Sequence, residues 1–257
     1  MSMTLPNPLR EIWRRGGTVL NGWLTNPSTW SAELMAHAGF DSLTLDLQHG
    51  LLDYSIALPM VQAIDTTATI PFMRVPWNEP GGIMKALDMG AYGIICPMVN
   101  TRAEAERFIG ACRYAPHGYR SYGPTRMALL HGDDYLANAD ELVITLAMIE
   151  TAEALENVDA IISTPGLDGI YIGPSDLGLS LGHFPRVDPT DPALIAAIDR
   201  IGASARAHGK IAGMHTGSVA YGRQMVAKGF QFVTVHSDTS LLRTAAAAVT
   251  QEFKAAH

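Results

Sequence analysis

Apolar residues recur along this chain in two alternating patterns. Short apolar runs read as strands, and between them lie stretches whose apolar positions fall three and four apart, which read as helices. The runs lie at 17–23, 42–46, 70–75, 93–97, 143–150, 169–172, 210–215 and 232–235. Helices are predicted over 8–15, 28–38, 53–65, 82–89, 152–163, 191–208 and 218–228, with others starting at Thr101, Pro174 and Asp238. Ser28, Asp53, Thr101 and Asp238 are caps in the required positions, Pro8 suits a first helical turn and Gly39 a stop. In the last helix Leu241, Ala245, Val249 and Phe253 form one stripe.

One stretch breaks the alternation. Residues 113–141 carry Gly, Pro and Tyr without a clear period. A loop of that length is usually functional or part of an interface. It has room for a short strand at 119–122, which would change the strand count by one. Without it, eight strands alternate with helices. Such alternation means parallel strands joined by crossover helices, so the expected class is α/β and the expected fold a (β/α)8 TIM barrel. A doubly wound open sheet is the fallback. Nothing divides the chain, so 1–257 is expected to be a single barrel domain. No GxGxxG follows the first strand and no GxxxxGK[ST] occurs, which weakens nucleotide-binding folds.

Composition narrows the class further. A net charge of −7 argues against a general nucleic-acid binder. Two cysteines, Cys96 and Cys112, give neither a disulfide framework nor metal-ligand spacing, as expected in a reducing compartment. No apolar run approaches the ~20 residues of a membrane span. The start, MSMTLPNPLREIWRRGG, has no apolar core of a signal peptide. A cytoplasmic protein is expected.

In such a barrel function gathers at the carboxyl ends of the strands. Glu150 and Asp176 stand just past the ends of consecutive strands and should face one pocket. Two carboxylates held together repel unless a cation sits between them, so the pair is a divalent-metal candidate; the alternative on spacing alone is two polar residues at loop starts. Asp46 and His49 form either a carboxylate–imidazole dyad or a structural pair. Arg74 either pairs with Asp46 or Glu150, or clamps a substrate carboxylate through its planar fork. Ser175 and Asp176 open a short helix whose free N–H groups favour an anion. None of the four lysines, Lys85, Lys210, Lys228 and Lys254, falls at a strand's carboxyl end. A Schiff-base mechanism needs a desolvated lysine in the pocket, so carbonyl chemistry here should be metal-assisted.

At these residues the chain resembles the metal-dependent class II pyruvate aldolases of the hydroxyketoacid aldolase type. These include the 4-hydroxy-2-oxoheptanedioate and 2-dehydro-3-deoxyglucarate aldolases, with macrophomate synthase as a relative. The matching segments are LTLDLQHG (43–50), PFMRVPWNEP (71–80), ALDMGAYGIICPMV (86–99), RYAPHGYRS (113–121), MIETAEALENVDAI (148–161) and GLDGIYIGPSDLGLSLG (166–182). The resemblance implies metal ligation by Glu150 and Asp176, and a catalytic base at His49 supported by Asp46. It implies an Arg74 that contacts the oxoacid and stabilises its enolate, and a carboxylate site at the backbone of Ser175 and Asp176. It also implies a catalytic role for Asp88. Asp88 reads here as the far end of a helix and would serve best from a neighbouring subunit. The resemblance further implies a hexamer with its last helix swapped between subunits. Two positions depart from the family pattern: Gln48 stands where relatives often have Glu, and Met148 where some have Gln.

The expected activity is reversible aldol cleavage of a 4-hydroxy-2-oxoacid to pyruvate, or a near analogue, and an aldehyde. An oxygen-rich site suits Mg, Mn or Co. The alternatives are a citryl- or malyl-CoA-type lyase, for which no basic groove is evident, and a non-catalytic oxoacid-binding protein. Small-molecule oxoacids and aldehydes are the expected partners, with no nucleic acid and no membrane. His215, at the end of the seventh strand, is either a structural histidine or part of the aldehyde site. Tyr119, Arg120, Tyr122, Arg126 and His131 of the long stretch are expected beside it. A lining so polar predicts a preference for small oxygenated aldehydes over alkyl ones.

Overall fold

In the computed structural model, which describes residues 7–255, Asn7 caps the first helix, α1 (Pro8–Arg14), by accepting the Leu9 N–H. Strands and helices then follow as β1 (Val19–Leu24), α2 (Thr29–Ala36), β2 (Ser42–Asp46), α3 (Tyr54–Ile64), β3 (Ile70–Arg74), α4 (Pro80–Met89) and β4 (Gly93–Cys96). The middle of the chain forms α5 (Arg102–Cys112), α6 (Thr125–His131), α7 (Asp134–Leu142), β5 (Ile144–Ile149), α8 (Ala152–Glu156), α9 (Val158–Ile162), β6 (Gly169–Ile172) and α10 (Pro174–Ser180). The last part forms α11 (Pro192–Ala207), β7 (Ile211–Thr216), α12 (Val219–Ala227), β8 (Phe232–Ser237) and α13 (Asp238–Ala255). Each strand pairs in parallel with the next, and β8 pairs with β1 to close the barrel. The first six residues and the last two of the 1–257 span, including part of the start read above for a signal, lie outside the described residues. No described helix is long and apolar enough to cross a membrane.

Caps fall where the side chains demand them. Ser28 accepts from Ser31, Asp53 from Ser55 and Ile56, and Thr101 with Glu104 makes a reciprocal capping box. Asp238 does more than start α13. Its carboxylate accepts the N–H groups of Thr25 and Asn26, tying the end of β8 to the loop after β1.

Strands buried on both faces separate two cores. One face packs on the helices, with Leu45, Met73, Ile94 and Ile172 against residues such as Met60, Ile83 and Phe108. The other fills the barrel with Phe72, Ile95, Leu146, Met148, Tyr171 and Phe232, and Leu9 and Trp13 of α1 join this inner core. Each such side chain contributes roughly 1.5–3 kcal/mol on burial. Gly93 is needed there, because a Cβ would lie 2.1 Å from the Phe72 ring. The strand period of two stacks the inner residues in layers. Asn21, Ser42, Thr44 and Thr234 form a hydrogen-bonded middle layer, and Trp23, Asp46 and Arg74 follow on β1, β2 and β3 toward the carboxyl end.

One feature differs from the sequence reading. The 113–141 stretch holds α6 and α7 and no strand at 119–122. It connects α5 to β5, so it lies at the amino end of the barrel. The last helix does not pack on the barrel that precedes it: every residue from Leu241 to Ala255 is exposed. Where a closing helix would lie, an apolar cleft of about 460 Å³ opens between α12 and β1, lined by residues that include Leu20, Phe40, Val219, Val226 and Val235.

Candidate active site

The inner residues of the last layer surround a cleft of about 250 Å³ at the carboxyl end of the barrel. Asp46, His49, Arg74, Glu150, Ser175, Asp176 and His215 all line it. The strand period explains their convergence: Asp46 ends β2, Arg74 ends β3 opposite it in register, and Glu150 follows β5. No lysine is among the lining residues.

Arg74 binds Asp46 through two hydrogen bonds, Nε to Oδ1 at 2.8 Å and Nη2 to Oδ2 at 2.6 Å. Its guanidinium carbon also lies 4.9 Å from the centre of the Trp23 ring. The Trp23 indole N–H donates to Asp46 Oδ2 at 3.1 Å. Burial raises the Asp46 pKa, but the bonds and charge of Arg74 and the Trp23 bond outweigh it and hold the carboxyl below its usual range. Arg74 therefore commits one edge to Asp46, and its Nη1 has no hydrogen-bond partner among the described residues.

The Asp46–His49 dyad is not formed. Asp46 Oδ1 accepts the backbone N–H groups of Gln48 and His49, at 3.1 and 3.2 Å, and no bond to the imidazole is present among the described residues. The reason is competition: Asp46 is saturated by Arg74, Trp23 and the turn. Asp46 shapes the loop that carries His49, and the His49 side chain is exposed at the cleft. Gln48 Oε1 is buried without a hydrogen-bond partner.

Glu150 is 2% exposed. Its Oε1 accepts the Met98 N–H at 2.8 Å, and Oε2 has no hydrogen-bond partner among the described residues. Met98 has a φ of 55°, a left-handed conformation rare for a residue with a side chain, and this turns its N–H toward Glu150. Gly173 leaves room for the acid, since a Cβ there would lie 2.4 Å from Oε2. Burial first, and then the nearby Asp176, raise the Glu150 pKa to about 7 against the Met98 hydrogen bond. A buried carboxylate with one bare oxygen and a second acid beside it is short of a positive partner. The chemistry of the pair suits a hard divalent cation. Among the described residues no cluster of three or more His, Cys, Asp or Glu could hold a metal by itself.

Other expected residues lie elsewhere. Asp88 is near the end of α4 and pairs with the buried Arg120 at 2.7 Å. Arg126 pairs with Asp65, and His131 lies 2.9 Å from the Tyr92 hydroxyl. Asp88 is thus away from its own cleft, as expected, whereas Tyr119, Arg120, Tyr122, Arg126 and His131 do not line this chain's cleft, which corrects their expected place beside His215. Topology decides this, because the stretch belongs to the opposite end of the barrel. Met148 does line the cleft and gives it an apolar wall. Trp23, Tyr171 and Met98 were not singled out in the sequence. For Trp23 the signal was there: it alternates with Asn21 on β1.

Comparison with known proteins supports one lineage. The family model described as HpcH/HpaI aldolase/citrate lyase matches residues 22–245. A hydroxypyruvate/pyruvate aldolase of Rhizorhabdus wittichii is 46% identical over 249 residues, covering 97% of this chain and 99% of that protein. A 5-keto-4-deoxy-D-glucarate aldolase of Shigella dysenteriae is 39% identical over 251 residues, covering 97% of each. The crystal structure of an HpcH/HpaI aldolase/citrate lyase family protein from Burkholderia cenocepacia superposes with a TM-score of 0.89 at 30% identity, covering 96% of this chain and 99% of the other. With the barrel, the paired acids and these relatives in view, the chain belongs to the HpcH/HpaI aldolase/citrate lyase family and is a carbon–carbon lyase of the aldolase type.

Proposed function

We propose that this enzyme is a divalent-metal-dependent aldolase that reversibly cleaves 4-hydroxy-2-oxoacids to pyruvate, or a near analogue, and an aldehyde. The observation that carries the reading is Glu150, buried with a bare oxygen beside Asp176. The names of the relatives, which act on pyruvate, hydroxypyruvate and a keto-deoxy sugar acid, support the same class of substrate.

Glu150 and Asp176 are the assigned metal ligands, for Mg, Mn or Co. A cation bound there supplies Lewis-acid polarisation of the keto oxygen. Arg74 donates from its Nη1 side to that oxygen, held in place by Asp46 and Trp23. The N–H groups of Ser175 and Asp176, in the first turn of α10, receive the substrate carboxylate. His49 accepts the proton of the C4 hydroxyl. As the C3–C4 bond breaks, its electron pair stays on the oxoacid fragment as the enolate, the aldehyde leaves, and protonation at C3 gives the oxoacid product. In this reading Asp46 is not the imidazole's partner but the anchor of Arg74 and of the loop.

We also infer a homo-oligomer, a hexamer with the last helix exchanged. The exposed α13 and the open apolar cleft between α12 and β1 support it, since a second copy's helix would cover both surfaces. In that assembly Asp88, with Arg120, serves a neighbour's cleft. The whole 1–257 chain is taken as one catalytic domain. Cys96 and Cys112, both buried and free, accord with a cytoplasmic location. The test is a cleavage assay over a panel of hydroxyketoacids with and without chelator; metal-independent turnover would end this reading.

A further inference from the structure

The inner face of the barrel carries a chain of hydrogen bonds that ends at the cleft. Ser42 and Thr44 donate to Asn21 Oδ1, and Asn21 Nδ2 donates to Thr234 Oγ1 at 2.8 Å. The Tyr171 hydroxyl donates to the same Thr234 oxygen at 2.7 Å. His215 Nδ1 lies 3.1 Å from that hydroxyl. With its proton given to Thr234, the Tyr171 oxygen can only accept from His215. Nδ1 therefore carries the imidazole proton, and Nε2 carries a lone pair.

Packing fixes where that lone pair points. Trp23 meets the His215 ring edge-on, with centroids 4.9 Å apart and planes at 89°. Tyr171 holds the other side through its hydroxyl. Trp23 is held in turn by its bond to Asp46. Nε2 has no partner among the described residues, and His215 lines the cleft. Burial, and then the charge of Arg74, lower the His215 pKa to about 4. A group that weakly basic accepts a hydrogen bond but does not hold a proton between steps, so it is distinct from the base at His49.

An acceptor in this position selects among the oxygens of the substrate. The carboxylate, the keto group and the aldehyde carbonyl are acceptors and offer it nothing. Only a hydroxyl is a donor, and with the C4 hydroxyl assigned to His49 the contact falls to a second hydroxyl. We propose that His215 Nε2 is a fixed acceptor for a substrate hydroxyl, making the enzyme prefer hydroxyl-bearing substrates to their deoxy counterparts. Tyr171 is the positioning residue that sets the tautomer. The inference rests on the aldolase reading and names the substrate class within it. The hydroxyl belongs either to the oxoacid, as in hydroxypyruvate, or to the aldehyde, as in glycolaldehyde.

The experiment compares kcat/KM in two arms on the metal-loaded enzyme: hydroxypyruvate against pyruvate with one aldehyde, and glycolaldehyde against acetaldehyde with pyruvate. In His215→Leu the hydroxyl preference should fall about tenfold in the arm that carries the contact, the size of one lost hydrogen bond to a buried acceptor. Tyr171→Phe should weaken the same preference, because the Nδ1 proton loses its acceptor. The imidazole ¹⁵N shifts of His215 in the wild type should show a protonated Nδ1 and a bare Nε2 at neutral pH. A protonated Nε2, or an unchanged preference in both arms, overturns the proposal. Absence of turnover with every pair would defeat the aldolase reading instead, and binding titrations of hydroxypyruvate against pyruvate in wild type and His215→Leu would then decide this one.

Discussion

Arg74 and Asp46 face each other across β2 and β3 in register, joined by two hydrogen bonds of 2.8 and 2.6 Å. The pair is nearly buried, so removing one partner strands the other's charge. Arg74→Lys keeps the charge but loses the planar fork. It should lower kcat about 10²- to 10³-fold, as loss of a positioned oxyanion donor does. Asp46→Asn should cost about 3 kcal/mol of stability as well as activity. Chemical denaturation and steady-state kinetics measure both. An Arg74→Lys enzyme with ordinary kcat would remove the arginine from the mechanism.

His49 is placed at the cleft by its backbone and not by an imidazole hydrogen bond to Asp46. His49→Ala should therefore leave the fold intact and lose roughly 10²–10⁴-fold in cleavage, the range for a general base. Oxoacid binding, measured by calorimetry, should survive. Near wild-type cleavage would send the search for a base elsewhere.

Glu150 and Asp176 are expected to hold the metal together. Glu150→Ala or Asp176→Ala should abolish turnover and weaken Mn binding, read by titration calorimetry. Chelation of the wild type should be reversible on adding metal. Borohydride with pyruvate should trap no adduct, since no lysine lines the cleft. A covalently trapped lysine would assign the enzyme to the other aldolase class.

The raised Glu150 pKa gives a signed prediction for the metal-free protein. With a folded pKa of about 7 against an ordinary 4.5, the folded state keeps a proton that the unfolded chain releases. Its contribution to stability is present below about 4.5 and is lost as pH rises through about 7. Urea midpoints in chelator should fall across that window in the wild type, relative to Glu150→Gln. Metal affinity should rise over the same window, because cation and proton compete for one carboxylate. Parallel midpoint curves for the two proteins would mean that Glu150 is ionised throughout.

The exposed α13 predicts a concentration-dependent assembly. Light scattering should find a hexamer at micromolar concentration. Deleting residues 241–257, or replacing Val226 in the open cleft with Asp, should shift it to smaller species that aggregate more readily. Those species should also lose turnover if Asp88 acts in a neighbour's cleft. A stable wild-type monomer with full activity would falsify the exchange and leave Asp88 as a local partner of Arg120.

The sequence by itself determined the barrel, because short apolar runs alternating with helical spacing, and the caps between them, are local signals. It also placed Asp46, Arg74, Glu150, Asp176 and His215 at strand ends, and a parallel sheet brings such ends together whatever the packing. The remaining features depended on contacts between residues distant in the chain. Asp46 is 28 residues from Arg74 and three from His49, yet it bonds the arginine side chain and only the histidine backbone. The register of β2 against β3 decides that. Met98 reaches Glu150 across 52 residues through a left-handed turn that carries no glycine to announce it. The polar residues of 113–141 promised a substrate wall, but their topology puts them at the far end of the barrel. The apolar stripe of α13 was legible as a helix face. That it leaves the apolar cleft between α12 and β1 of its own barrel open is a tertiary fact, because a stripe records the need for burial and not the surface that meets it.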